Sequence, residues 1–237
     1  MMSDFLTTHQ TQPPTISVFW YLVIVMVFIG LVTLTLVSYK KDSYRKCFLG
    51  LQIFQLLILY GWYLSHHIPL SNSLPFYHCR LAMFALVFLP DRWPLKQYFA
   101  LLGVSGAAFA LGYPVFDPYS FPHITSFSFL LGHYCLLVNG LVYLLRHFGS
   151  ERLSAGTLVL WTFALDAFLL GVNALTGGNY GLLKHPPIMP DDHIWLNYLV
   201  VSGLLSAMLL LIHALFRRGE KRSRRVLETV KAELPID

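Results

Sequence analysis

Seven predominantly apolar runs divide this chain, at residues 17–37, 48–65, 75–89, 97–113, 126–145, 155–175 and 195–216. A helix crosses the hydrocarbon of a bilayer with about 20 such residues, since each adds about 1.5 Å towards roughly 30 Å. Backbone polar groups in lipid must be satisfied internally, so runs of this kind predict helices. The third run is the shortest and opens on His78, Cys79 and Arg80. Turn formers separate the runs: Pro69, Pro90-Asp91, Pro114 with Pro118 and Pro122, Gly177-Gly178 and Pro186-Pro187.

Only 12% of the 237 residues are charged, while 56% are hydrophobic and the mean hydropathy is +0.58. Soluble domains carry about 25% charged residues, so these charges are too few to cover a water-facing surface. The expected fold class is therefore all-α, a polytopic integral membrane protein with seven transmembrane helices. Residues 1–16 form a short N-terminal segment, 17–216 the membrane domain and 217–237 a basic tail. The stretch before the first run lacks the basic region of a signal peptide, and no small-x-small cleavage site follows that run. It is therefore expected to be retained as a helix.

Lysine and arginine placement sets the expected orientation. Lys40, Lys41, Arg45 and Lys46 follow the first run, Arg92 and Lys96 join the third and fourth, and Arg146 and Arg152 join the fifth and sixth. Arg217, Arg218, Lys221, Arg222, Arg224, Arg225 and Lys231 follow the seventh. With seven spans, fifteen of the 17 basic residues fall on one side; Lys184 and Arg80 alone fall on the other. That bias places the N-terminus outside and the C-terminus in the cytoplasm, and an even number of helices would break it. The net charge of +5 then belongs to anionic lipid heads rather than to nucleic acid.

Ionisable residues inside a span are costly and face a bundle interior or a wet cavity. On this topology His66, His67, His78, Cys79, Arg80 and His133 all lie in the outer half. Asp166 is near the middle of the sixth run, and Asn173, seven residues on, shares its face. The following outer loop adds Asn179, Tyr180, His185, Asp191, Asp192 and His193. An outward-facing polar cavity is the expectation. Each residue also has a plainer reading. Histidines at helix ends sit at the interface, Arg80 snorkels to headgroups or clamps a phosphate, and Asp166 pairs internally with Arg80 or a histidine.

Cys47, Cys79 and Cys135 lack CxxC spacing and make no disulfide framework or thiolate zinc site. Cys79 and Cys135 could join in the outer half; Cys47 and Cys135 otherwise read as packing. No HxxxH or HExxH pair occurs on one helix, so a metal would need His67, His78 and His133 to converge. No Walker motif is present, and neither metal nor cofactor is expected. A thiol beside an imidazole or a cation is a potential nucleophile, with Cys79 and His133 as the candidate pair.

Several residues carry a family likeness. Leu74-Pro75-Phe76-Tyr77-His78-Cys79, Tyr98-Phe99 with Gly103-x-x-Gly106-Ala107, Gly132-His133 with Tyr143, and Asn173-x-x-Thr176-x-x-Asn179-Tyr180 follow in order. Together they resemble the YwaF-like bacterial membrane proteins, which are similar to eukaryotic transmembrane protein 164. The likeness covers most of the chain from the second run onward. Bacterial relatives often show Leu-Pro-Leu-His-x-Cys, whereas here Tyr77 stands at the His position with His78 beside it.

The resemblance implies a multi-pass protein of a bacterial cell membrane and a cysteine-dependent transfer of acyl chains between phospholipids and lysophospholipids. Cys79 would accept the acyl chain and His133 would act as base. Arg80, His67, His78, Asp166, Asn173, Asn179 and Tyr180 would surround the lipid substrate. Two other functions remain open on the residues: a transporter or flippase using Asp166 and the histidines, and a sensor signalling through the basic tail.

Overall fold

The computed structural model describes residues 2–186 and 193–233, so Asp191 and Asp192 of the expected outer loop lie outside the described residues. Among the described residues every regular element is helical. A single turn, α1 (Met2–Phe5), leads into α2 (Val18–Ser38) and α3 (Asp42–Ser65). The short α4 (Leu70–Ser73) precedes α5 (His78–Phe88), α6 (Pro94–Gly112), α7 (Ile124–His147) and α8 (Ala155–Thr176). A 3-10 turn, Tyr180–Leu182, then leads to α9 (Ile194–Glu233). Five helices are long and apolar enough to cross a membrane: α2, α3, α7, α8 and the Ile194–Val226 part of α9. α5 has only 11 residues, and α6, with 19, is not among the five.

Local chemistry explains the helix ends. Ser17 and Ser154 accept the Trp20 and Thr157 amides at 3.4 and 3.0 Å, capping α2 and α8. Pro94 opens α6, where its missing N–H costs nothing. Gly177 ends α8 at φ 73°, a left-handed conformation that glycine adopts without a Cβ clash.

α9 differs from expectation, for it runs on past residue 216 to Glu233. The apolar run ends there, but the helix does not. Residues 217–233 are rich in good helix formers, and Arg224 pairs with Glu220 one turn earlier at 2.7 Å.

α6 occupies the centre, packed against α5, α7 and α9, while α3 and α2 pack on α7 and α9 packs on α8. Glycines bring the central helices together. A Cβ at Gly103 would stand 2.7 Å from Leu136 of α7 and 3.3 Å from Ala82 of α5. One at Gly140 would stand 2.8 Å from Val104 of α6. Lipid supplies no hydrophobic drive between helices, so close contact through small residues is what holds such a core. α2 instead exposes Val18, Phe19, Trp20 and Met26, an apolar outer face suited to lipid.

The basic segments meet at one end of the bundle. Arg146 donates to the Tyr39 carbonyl and to Asp42, Arg45 and His147 approach Asp91, and Gln97 and Gly149 bond reciprocally. Glu220 accepts the Ser150 amide at 3.1 Å, which brings the start of the tail to the same end. At the opposite end the N-terminal segment folds over the helices. Trp62 donates to the Leu6 carbonyl at 3.0 Å, His123 to Thr7 at 3.0 Å, and Thr11 to Pro118 at 2.8 Å.

Candidate functional site

Cys79 is the second residue of α5, two positions after the extended N-cap Tyr77, whose side chain makes no cap hydrogen bond. The opening amides of any helix lack intrahelical acceptors, so the thiol sits beside free N–H groups at the positive end of a helix dipole. Its Sγ rests on α6 where Gly106 has no side chain: a Cβ there would stand 2.8 Å away. The Gly103-x-x-Gly106 motif therefore lets α5 and α7 approach α6, and its second glycine makes room for the sulfur. Cys79 is half-buried, and neither it nor Cys135 is in a disulfide.

His133 is the tenth residue of α7, its ring 4.4 Å from that of Phe129. Its Nδ1 lies 2.7 Å from the Phe129 carbonyl. A carbonyl only accepts, so Nδ1 carries the proton and Nε2 of the neutral ring keeps a lone pair. No hydrogen bond joins His133 to Cys79 among the described residues. The two share the neighbourhood of α5 and α7, which pack together, and both feel the charge of Arg80.

Arg80 is enclosed by aromatic rings. Its guanidinium lies 5.2 Å from the Tyr63 ring centre and 4.9 Å from that of Tyr77. Nη2 donates to the Tyr63 hydroxyl at 2.6 Å and Nη1 to the Asn72 carbonyl at 3.4 Å. The Tyr60 ring lies 5.5 Å from that of Tyr63, and its hydroxyl also feels this charge. Arg80, Tyr63, Tyr77, Asn72, Asp117 and Gln10 border a cavity of about 90 Å³. Neither Cys79 nor His133 lines it; Arg80 links the cavity to the thiol.

His78 turns the other way. Its Nε2 meets Asp166 Oδ1 at 2.5 Å, and Ser202 donates to Asp166 Oδ2 at 2.7 Å, so both carboxylate oxygens are engaged. Asp166 is fully buried. The Asn173 amide spans the Tyr180 backbone, donating to its carbonyl at 2.9 Å and accepting its N–H at 2.7 Å. The Tyr180 hydroxyl donates to Leu70 and accepts the Leu74 amide at 2.9 Å, which fixes the chain leading into Cys79. Asn179 accepts the Lys184 and His185 amides and orders its own loop. His67 is exposed, with φ 51°.

His67, His78 and His133 do not converge. Among the described residues no three of His, Cys, Asp and Glu could hold a metal ion.

Sequence reasoning passes over two groups here. One is the pair Tyr60 and Tyr63, which join Tyr77 around Arg80. The other is Gln52 and Gln55, three apart on α3 and buried. Gln55 accepts the Ser128 hydroxyl at 2.5 Å and lies against Gly132, the neighbour of His133. Two glutamines on one face of an apolar helix were the available signal.

His123, at the edge of this region, caps α7. Its Nδ1 accepts the Thr125 amide at 3.3 Å, and Nε2 donates to Thr7. Burial pushes its imidazole below the ordinary value, against the upward pull of the Thr7 carbonyl and Asp117.

No curated protein and no solved structure matches this chain. The TMEM164 family model matches residues 5–216, from the N-terminal segment through the apolar part of α9. With helices in the expected order and a match over most of its length, this chain belongs to the TMEM164 family of membrane proteins.

Proposed function

We propose that this protein is a phospholipid acyltransferase or transacylase that carries the acyl chain on Cys79. The observation that carries this is the place of the thiol. Cys79 stands in the first turn of a helix without a side-chain cap, beside Arg80, and against a glycine that makes room for sulfur. Free amides at a helix N-terminus and a guanidinium both favour negative charge, on sulfur or on an acyl oxygen held beside it.

The transfer runs in two steps. His133 Nε2 takes the thiol proton as sulfur attacks the ester carbonyl. The C–O bond breaks, the lysolipid oxygen leaves with that proton, and a thioester remains on Cys79. The hydroxyl of an acceptor lysolipid then attacks the thioester. His133 takes its proton and returns it to the departing sulfur, which restores the thiol. The thiol lies among apolar neighbours, so its proton leaves in step with attack. Opening-turn amides of α5 receive the oxyanion. Arg80 holds the lipid phosphate at the cavity, and exposed His67 meets the headgroup outside it.

Asn173, Asn179 and Tyr180 act by holding the loops around the substrate, and the His78–Asp166 pair by anchoring α5. Commitment of both Asp166 oxygens favours transfer chemistry over a proton path through that residue. The protein spans the membrane of a bacterial cell seven times, α5 and α6 included, with the N-terminus outside and the basic end in the cytoplasm. The meeting of four basic segments at one end supports that orientation.

The test supplies purified protein with labelled phospholipid and looks for an acyl group on the Cys79 peptide by mass spectrometry. Acyl-Cys79 that disappears on adding lysolipid, as a new phospholipid forms, is the expected result. Equal lipid turnover by Cys79→Ala would overturn the proposal.

A further inference from the structure

A second cavity, of about 60 Å³, opens at the basic end between the start of α3, the α5–α6 turn and the end of α7. One water needs about 10–15 Å³, so a group of several atoms fits. Its wall carries Arg45, Lys96, Arg146 and His147 around one carboxylate, Asp91. Lys96 Nζ donates to Asp91 Oδ1 at 2.7 Å, while Arg45 Nη2 and His147 Nε2 stand 3.7 and 3.6 Å from Oδ2.

Arg146 is incompletely used. Its Nε donates to the Tyr39 carbonyl at 2.5 Å and Nη1 to Asp42 at 2.8 Å. Nη2 is buried and has no hydrogen-bond partner among the described residues. A buried guanidinium N–H without an acceptor is costly, and native structures rarely leave one. Arg45 is only partly compensated, since Asp91 stands 3.7 Å from it and is shared with Lys96, which also donates to the Leu89 carbonyl at 2.7 Å. Arg45, Asp91 and His147 are each at least a third exposed, so the cavity is open to the surface. It lies at the ends of two spanning helices, which is headgroup depth in either leaflet.

The geometry points to a phosphate-binding site in this cavity. Arg146, Lys96 and Arg45 supply donors in a charge-assisted arrangement, and Asp91 competes with the phosphate for the last two. The phosphate comes either from an anionic lipid headgroup or from the aqueous phase. The site lies at the end of the bundle away from Cys79 and does not depend on acyl transfer.

The test places the full chain in nanodiscs of phosphatidylcholine, with or without phosphatidylglycerol, and counts retained lipids by native mass spectrometry. Melting is followed in parallel as inorganic phosphate is added. The expected result is preferential retention of phosphatidylglycerol, reduced about tenfold in Arg146→Gln and about threefold in the exposed Arg45→Gln. Asp91→Asn should raise retention while lowering the melting temperature, because it removes the one negative charge on the wall. Inorganic phosphate that raises the melting temperature and displaces the lipid assigns a soluble source; retention that ignores it assigns the headgroup.

Equal retention of both lipids with no response to phosphate overturns the site. So does unchanged retention in the arginine variants, or a loss of retention in Asp91→Asn. If Arg146→Gln does not fold, Arg45→Gln and Asp91→Asn decide the matter.

Discussion

The imidazole Nε2 of His78 meets Oδ1 of Asp166 at 2.5 Å, joining the first residue of α5 to the middle of α8 across 88 positions of sequence. Ser202 completes the contact from α9. Because Asp166 is fully buried, its partners replace water as the only source of compensation. Removing one member of a buried hydrogen-bonded set leaves its partners unsatisfied, at about 1–3 kcal/mol each. Asp166→Ala is expected to destabilise by that order, and Ser202→Ala by about 1–3 kcal/mol. Thermal unfolding in detergent measures both. A melting temperature for Asp166→Ala equal to wild type would show that the contact holds nothing together.

Gly106 and Cys79 should behave as one unit. A methyl at 106 would stand 2.8 Å from the sulfur, so Gly106→Ala must push the thiol aside. Overpacking of this kind costs about 1–3 kcal/mol, and a nucleophile misplaced by about 1 Å loses on the order of a hundredfold in rate. The double variant Cys79→Ala/Gly106→Ala should recover most of the lost stability and none of the activity. Additive melting shifts in the double-mutant cycle would refute the contact.

His133 has a sharper test than simple loss of activity. Its Nδ1–H is committed to Phe129, so a glutamine at 133 preserves a donor while removing the base. General-base catalysis contributes about 10²–10⁴-fold. His133→Gln should therefore lose activity by that order with little change in melting temperature. Acyl-Cys79 should also fail to accumulate. Normal acylation in this variant would reassign the base.

The N-terminal segment should loosen in mild acid. Burial holds the His123 imidazole below its ordinary 6.5, with the Thr7 carbonyl and Asp117 opposing in part. A lowered histidine stabilises the fold fully above the unfolded value, and that contribution fades as pH falls from about 6.5 through the folded value. The geometry agrees, because a proton on Nδ1 would face the Thr125 amide it now accepts. The protection factor of the Thr11 amide, which bonds Pro118, should fall below about pH 6, and His123→Gln should flatten the dependence. An unchanged protection factor between pH 7 and pH 5 would contradict the assignment.

The helices are legible in the sequence because burial in lipid demands apolar length, and proline and glycine mark where each run breaks. α9 is the exception. Its last turns rest on spaced charges such as Glu220 and Arg224, which a search for apolar length does not see. The residues of the site are legible as types and their partners are not. Asp166 stands out as an acid in an apolar helix, with Arg80 or a histidine as its expected partner. Only packing selects His78 and sends Arg80 to Tyr63 and Tyr77. Tyr60 and Tyr63 stay hidden because tyrosines near a helix end read equally well as interfacial anchors.

α6 lies at the centre of the bundle and is not one of the five helices long and apolar enough to cross a membrane. Its partners α7 and α9 come later in the chain. The packing around α6 is therefore completed only after those helices have been made. The glycine seat for Cys79 would be assembled only when the shell closes. A chain stopped before α7 would thus hold the thiol but not the pocket it needs.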